Sequence, residues 1–128
     1  MKDIIITNNK YVDEKYGDRF QVEFLEDFNY LDILYYVRDK VHEGYRLSTH
    51  PLSGSVKPNE TPYKTIMIGK KEKSLDLDSL RIIEDSIATA KKFINNRPTP
   101  NWPESILDDF RVIDLSLIEN VIDKLKHI

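Results

Sequence analysis

Ile4-Ile5-Ile6-Thr7 runs directly into Asn8-Asn9 near the start of the chain. Four β-branched residues in succession favour extended backbone, and the run is too short for a helix. Because the isoleucines fall on both alternating faces, the strand they form is buried on both sides. That is the usual condition of a strand in a parallel sheet covered by helices above and below. Asn8 and Asn9 end the strand. Asn9 is also a good cap for a short helix over Lys10 to Tyr16, with Gly17 following at the position after the C-cap.

The same alternation of strand and helix continues. Phe20 to Leu25 reads as a second strand. Asn29 caps a helix over Tyr30 to Glu43, whose Leu31, Leu34, Val37 and Val41 share one face, and Gly44 marks its end. Arg46 to His50 is a short third strand and Thr65 to Ile68 a fourth. A helix opening at Ser74 to Asp78, capped by Asp76 or Asp78, buries Leu80, Ile83, Ile87, Ala90 and Ile94. After a stiff linker at 95–101, Pro103 begins a last helix with the stripe Ile106, Phe110, Ile113, Leu117, Val121 and Leu125. Asp114 or Ser116 is able to interrupt that helix by capping a new one.

This order predicts one α/β domain over residues 1–128, a three-layer Rossmann-like sandwich around a mainly parallel four-stranded sheet with C-terminal helices. A strand-rich half (1–73) precedes a helical half (74–128). The fourth strand is the exception. No helix precedes it to make a parallel crossover, so an antiparallel edge strand is the alternative.

Composition removes several functions. The chain of 128 residues has 19 basic and 22 acidic residues, a formal net charge of −3, and no cysteine. Disulfides, thiolate metal sites and cysteine nucleophiles are thereby excluded. The four glycines stand at least ten positions apart, so there is no phosphate loop and no dinucleotide fingerprint. His42, His50 and His127 lack metal-ligand spacing, and no metal or other cofactor is expected. No apolar run approaches the roughly 18 residues of a membrane span. The opening isoleucine run is too short for a secretory signal, which points to the cytoplasm. One lysine cluster at 70–73 in an acidic chain is poor evidence for nucleic acid, which is not expected as a partner.

The remaining candidate is the segment 49–62, placed at the carboxyl end of the third strand, where open α/β sheets bind ligands. Pro51, Pro58 and Pro62 fix φ there and push His50, Lys57 and Thr61 toward extended backbone. Gly54 is free to adopt positive φ and to aim successive amides at an anion. With Asn8 and Asn9 from the first strand, the ligand-binding candidates are Thr49, His50, Ser53, Gly54, Ser55, Lys57, Asn59 and Glu60. If strands one and three are neighbours, the two sets face one crevice. Segment 42–73 carries Arg46, Lys57, Lys64, Lys70, Lys71 and Lys73 against Glu43, Glu60 and Glu72, a local charge of +3. The competing reading is a proline-bounded turn with local hydrogen bonds. Ser53 or Ser55 with His50 and Glu60 supplies the residue types of a hydrolytic triad, but no nucleophile elbow surrounds them.

The segment Arg46 to Lys64 also carries a resemblance. With Ile4 to Asn9, Lys15-Tyr16-Gly17-Asp18, Leu75 to Leu80 and Asp114 to Ile118, it is similar to the GrdX family. These are small proteins encoded beside glycine, sarcosine and betaine reductase genes in amino-acid-fermenting anaerobes. Lys10 departs from the family, where proline is expected. The resemblance implies association with a selenium-dependent reductase system in an anaerobic cytoplasm. It implies no reaction and carries over no catalytic residue. Lacking cysteine, this chain is not itself a catalytic reductase subunit.

Three functions follow as expectations. The first is an accessory or regulatory protein that holds a small anion, a metabolite or a loop of a reductase component at 49–60. The second is a small enzyme with His50 as acid/base in a pocket. The third is a homodimeric scaffold joined through Tyr35 and Tyr36 or the fourth strand.

Overall fold

The computed structural model describes residues 3–52, 54 and 56–125. The isoleucine run forms β1 (Ile4–Thr7), with all four residues buried. There follow α1 (Lys10–Tyr16), β2 (Gln21–Phe24), α2 (Tyr30–His42), β3 (Arg46–Leu47), β4 (Thr65–Gly69), α3 (Leu77–Asn96) and α4 (Glu104–Leu125). The caps act as their residue types require. Asn9 accepts a hydrogen bond from the Tyr11 amide, Asn29 and Asp32 form a reciprocal capping box on α2, and Asp76 accepts from the Ser79 amide. Gly44 holds φ +108°, and a Cβ there would lie 2.2 Å from the Glu72 carbonyl oxygen. Only glycine fits that position.

The sheet order is β2-β1-β4-β3. β1 pairs with β2 in parallel, while β4 runs antiparallel to both β1 and β3. The expected mainly parallel, Rossmann-like sheet is therefore corrected to a mixed one, with two of its three pairings antiparallel. The fourth strand is antiparallel, as the alternative allowed, but it lies inside the sheet rather than at its edge. The reason is physical. Double-sided burial requires helices on both faces of a strand and says nothing about its direction. Thr65 to Gly69 is as completely buried as β1, and the most apolar strands take the centre.

Helices cover both faces. Ile4, Ile6, Ile66 and Ile68 pack with Ile33, Leu34 and Val37 of α2 and Ile83, Ile87 and Ala90 of α3. On the other face, Ile5 and Met67 pack with Val12 and Tyr16 of α1 and Ile118 and Ile122 of α4. The two clusters use alternate residues of the same strands, as the two-residue period of a strand dictates.

Two local expectations change. The third strand is shorter than Arg46 to His50, because Ser48 and Thr49 both donate their amides to the Met67 carbonyl (2.8 and 3.3 Å). Two residues opposite one end the ladder as a bulge does. The last helix is continuous through Asp114 and Ser116, and its inward face is Arg111, Asp114, Ile118 and Ile122. The expected stripe is turned to the side, leaving Ile113 and Leu125 40% and 44% exposed.

Candidate functional site

β1, β2 and β3 share one direction and β4 opposes them, so one edge of the sheet gathers three strand ends and the start of β4. β1 and β3 are not neighbours. Lys64 and Thr65 occupy the place between them where a crevice was expected.

Asn8 and Asn9 build this edge. Asn8 donates through Nδ2 to the carbonyls of Phe28 (2.8 Å) and Pro62 (2.9 Å), and its Oδ1 accepts from the Lys64 amide (2.9 Å). Asn9 donates through Nδ2 to the Arg111 carbonyl (2.8 Å) and to Asp114 Oδ2 (3.0 Å). Both are buried. Each asparagine thus spends its amide on the fold, fastening β1 to the 59–64 segment or to α4.

Around Asp114 lies a buried polar chain. Thr65 Oγ1 donates to Asp114 Oδ2 at 2.7 Å, and the two threonine hydroxyls of Thr7 and Thr65 are 2.7 Å apart. Each hydroxyl has one proton. Thr65 gives its proton to the carboxylate, so Thr7 donates to Thr65 and itself accepts from the Asn9 amide (3.0 Å). Burial pushes the Asp114 carboxyl above the ordinary carboxylate value, and the bonds from Thr65 and Asn9 pull the other way. Lys64 is 6% exposed. Burial lowers the pKa of its ammonium, while the negative charge of Asp114 opposes that shift. Beside this chain, Arg111 lies between the rings of Tyr11 and Tyr63 (5.6 and 5.4 Å to their centroids) and donates to the Tyr63 hydroxyl at 2.6 Å. It also pairs with Glu104.

The loop is fastened at both ends. Thr49 Oγ1 accepts from the Met67 amide (3.1 Å), and His50 Nδ1 accepts from the Leu52 amide (3.1 Å). Asn59 donates to the Arg97 carbonyl (3.1 Å), and the Trp102 indole donates to the Glu60 carbonyl (2.7 Å). Gly54 has φ +103°, and a Cβ there would stand 2.8 Å from Leu117 Cδ1. Its backbone rests on the Leu117 side chain of α4, and its positive φ is one that other residues rarely adopt. His50, Lys57 and Glu60 are exposed. Ser53 and Ser55 lie outside the described residues, as does His127. Among the described residues, no group of three histidines or carboxylates is arranged to hold a metal ion.

Between loop and α3 runs an open groove of about 220 Å³ lined by Leu52, Gly54, Val56, Lys57, Pro58, Thr89 and Phe93. It continues past Thr89 and Phe93 into a wider depression bounded by Lys92 and Asn96. Phe93 is 38% exposed at the junction. Of the sequence candidates, Gly54 and Lys57 meet in this groove. Asn8, Asn9, Thr49 and Asn59 are fasteners outside its lining, and the exposed His50 and Glu60 side chains also lie outside it.

Thr89, Lys92 and Phe93 were not legible as site residues, since nothing local distinguishes them on an amphipathic helix. The buried Lys64, Asp114 and Arg111 were equally hidden. The one signal was the weak apolar patterning of α4 around Asp114, and capping explains that pattern equally well. The tyrosines of the homodimer expectation are half-buried. Tyr36 donates to Glu23 and meets Phe28 edge-on, and the Arg38 guanidinium lies over the Tyr35 ring. No helix among the described residues is long and apolar enough to cross a membrane.

Among curated proteins and among solved structures, nothing matches this chain. A family model described as GrdX-like protein matches residues 4–123, nearly its whole length, and the chain belongs to the GrdX-like protein family.

Proposed function

We propose that this protein is a non-catalytic accessory of the selenium-dependent glycine reductase system in the cytoplasm, and that it docks a segment of a reductase component in the groove between the 49–60 loop and α3. The occupant is an acidic stretch with one large apolar side chain. The observation that carries this is the groove's composition: Leu52, Val56, Pro58 and Phe93 form an apolar floor, with Lys57 and Lys92 at its sides. Lys91 precedes Lys92 in α3, and Arg97 is the C-cap of that helix. Among the described residues, none of these four cations is in an ion pair. A bare inorganic anion would gain nothing from the apolar floor, whereas a peptide anchor gains its burial and its carboxylates gain steering. The loop is held at Thr49, Asn59 and Trp102, so the groove needs little ordering on binding.

The reading is tested by titrating purified reductase components against the immobilised protein. Binding is expected to weaken as salt rises, and the Lys57→Glu/Lys92→Glu double variant is expected to bind at least about tenfold less tightly. Undiminished binding by that variant, or no binding of any component by the wild type, overturns the proposal.

A further inference from the structure

The two edges of the sheet are finished differently. At β3 the outward Leu47 amide donates to Ser79 Oγ of α3 (3.0 Å), Arg46 pairs with Asp76, and the bulge at Ser48 and Thr49 ends the ladder. β4, one expected seam of a homodimer, lies inside the sheet. At the β2 edge the Leu25 amide donates to the Thr7 carbonyl at 2.8 Å, which fixes the phase of the parallel ladder. Gln21 and Glu23 therefore turn their amides and carbonyls toward β1, and Val22 and Phe24 turn theirs away from the sheet. Among the described residues, nothing bonds those outward groups. Gln21–Phe24 contains neither lysine nor proline, the residues that commonly guard an edge. Its one charge, Glu23, is engaged by Lys40 and the Tyr36 hydroxyl on the α2 face. Phe20, Val22 and Phe24 form a half-exposed apolar row on the opposite face.

We propose that β2 is the seam of a homodimer, in which two copies of this chain pair their β2 strands antiparallel and join the two sheets into one. The strand complements itself. With Val22 on the two-fold axis, each Val22 amide donates to the other copy's Val22 carbonyl, and each Phe24 amide donates to the other copy's Phe20 carbonyl. The Phe20 amide is not needed there, since it donates to the Tyr16 carbonyl (2.9 Å). Phe20 then lies opposite Phe24 and Gln21 opposite Glu23, so the apolar row is covered by its own image and no like charges face each other. The register with Glu23 on the axis would oppose two carboxylates. The flanking charges favour the same direction. Arg19 is the last charge before the strand, Glu26 the first after it and Asp27 the next, and all three are exposed. Antiparallel pairing sets each Arg19 beside the other copy's acidic turn. A seam this short belongs to the small-interface class, with association in the micromolar range. β2 and β3 are opposite edges of the sheet, so the seam leaves the groove at the 49–60 loop open in both copies and does not depend on what occupies it.

The test is sedimentation equilibrium of the purified full chain at about 0.1 mM, above that range. The expected mass is twice the 15.1 kDa of one chain. The mass of a single chain overturns the proposal. Val22→Pro removes the axial amide, which the pairing with β1 does not use, and proline is tolerated where a strand's amide faces solvent. This variant is expected to sediment as a monomer with the wild-type far-UV circular dichroism. A folded Val22→Pro dimer overturns the proposal. The chain has no cysteine, so Val22→Cys carries a single thiol. Directly opposed residues of this kind lie about 5.5 Å apart at Cα, within disulfide reach. Under mild oxidation Val22→Cys is expected to form the covalent dimer at least about tenfold faster than Leu77→Cys, whose position is 72% exposed on α3. Equal rates overturn the proposal, and that comparison stands even where Val22→Pro does not fold.

Discussion

Asn8 illustrates how one side chain sets the geometry on which everything at this end of the sheet rests. Its amide bonds two carbonyls and one backbone amide across 20 to 56 positions of sequence separation, in a buried or partly buried setting. Asn8→Ala is expected to destabilise the protein by about 2–4 kcal/mol, because it leaves several buried backbone groups unpaired at once. His50→Ala removes an exposed ring and one weak local bond, and is expected to change stability by less than about 1 kcal/mol. Urea unfolding of the two variants checks both values. An asparagine pair at a strand end is visible in the sequence as something other than ordinary loop. Its partners were not, because they come from residues 28, 62, 64, 111 and 114. Lys64 and Asp114 were hidden more completely. A lysine is by default solvated and an aspartate mid-helix by default a cap or a surface charge. Only the fold brings them under the loop.

The helices divide into those whose local signals were sufficient and one whose signals misled. α1, α2 and α3 begin after asparagine or aspartate caps, and the faces expected of α2 and α3 lie largely inward, although α3 also buries Ser79 and Ser86 and runs on to Asn96. In α4, the positions that face inward include Arg111 and Asp114: Tyr63 and Glu104 accept from the Arg111 guanidinium, whose Nε has no partner among the described residues, and Asn9 and Thr65 donate to Asp114. A search for apolar periodicity steps around those two residues and settles on the neighbouring stripe. The difference is measurable. Ile118 is 3% exposed and Ile113 40%. Ile118→Ala is expected to cost about 2–4 kcal/mol through lost burial and the cavity left behind. Ile113→Ala is expected to cost less than about 1 kcal/mol. Equal losses in thermal or denaturant unfolding would contradict the observed rotation of α4. β3 was over-read for a related reason. Its residues after Leu47 bend and give up ladder pairing to a bulge and to the Thr49 hydroxyl.

For the molecule entire, the three-layer arrangement was legible and the strand order was not. Helix-strand alternation and an all-apolar first strand require helices on both faces, and the two clusters across the sheet fulfil that. Which strands touch is set by packing over long separations, such as β1 against β4 some sixty residues later. With β4 inserted, the expected crevice is filled by Lys64 and Thr65. The remaining open concavity with candidate residues shifts outward, to the loop's contact with α3. The basic centre noted in the sequence survives this change, since Lys57 stays at the groove and α3 brings Lys92 beside it. Hydrogen-exchange mass spectrometry of the protein, free and saturated with a purified glycine reductase component, tests this most directly. The account predicts slowed exchange in peptides covering 49–60 and 86–97, with β2 and α1 unchanged. Protection centred on β2 or α1, with the loop and α3 exchanging as in the free protein, would contradict it.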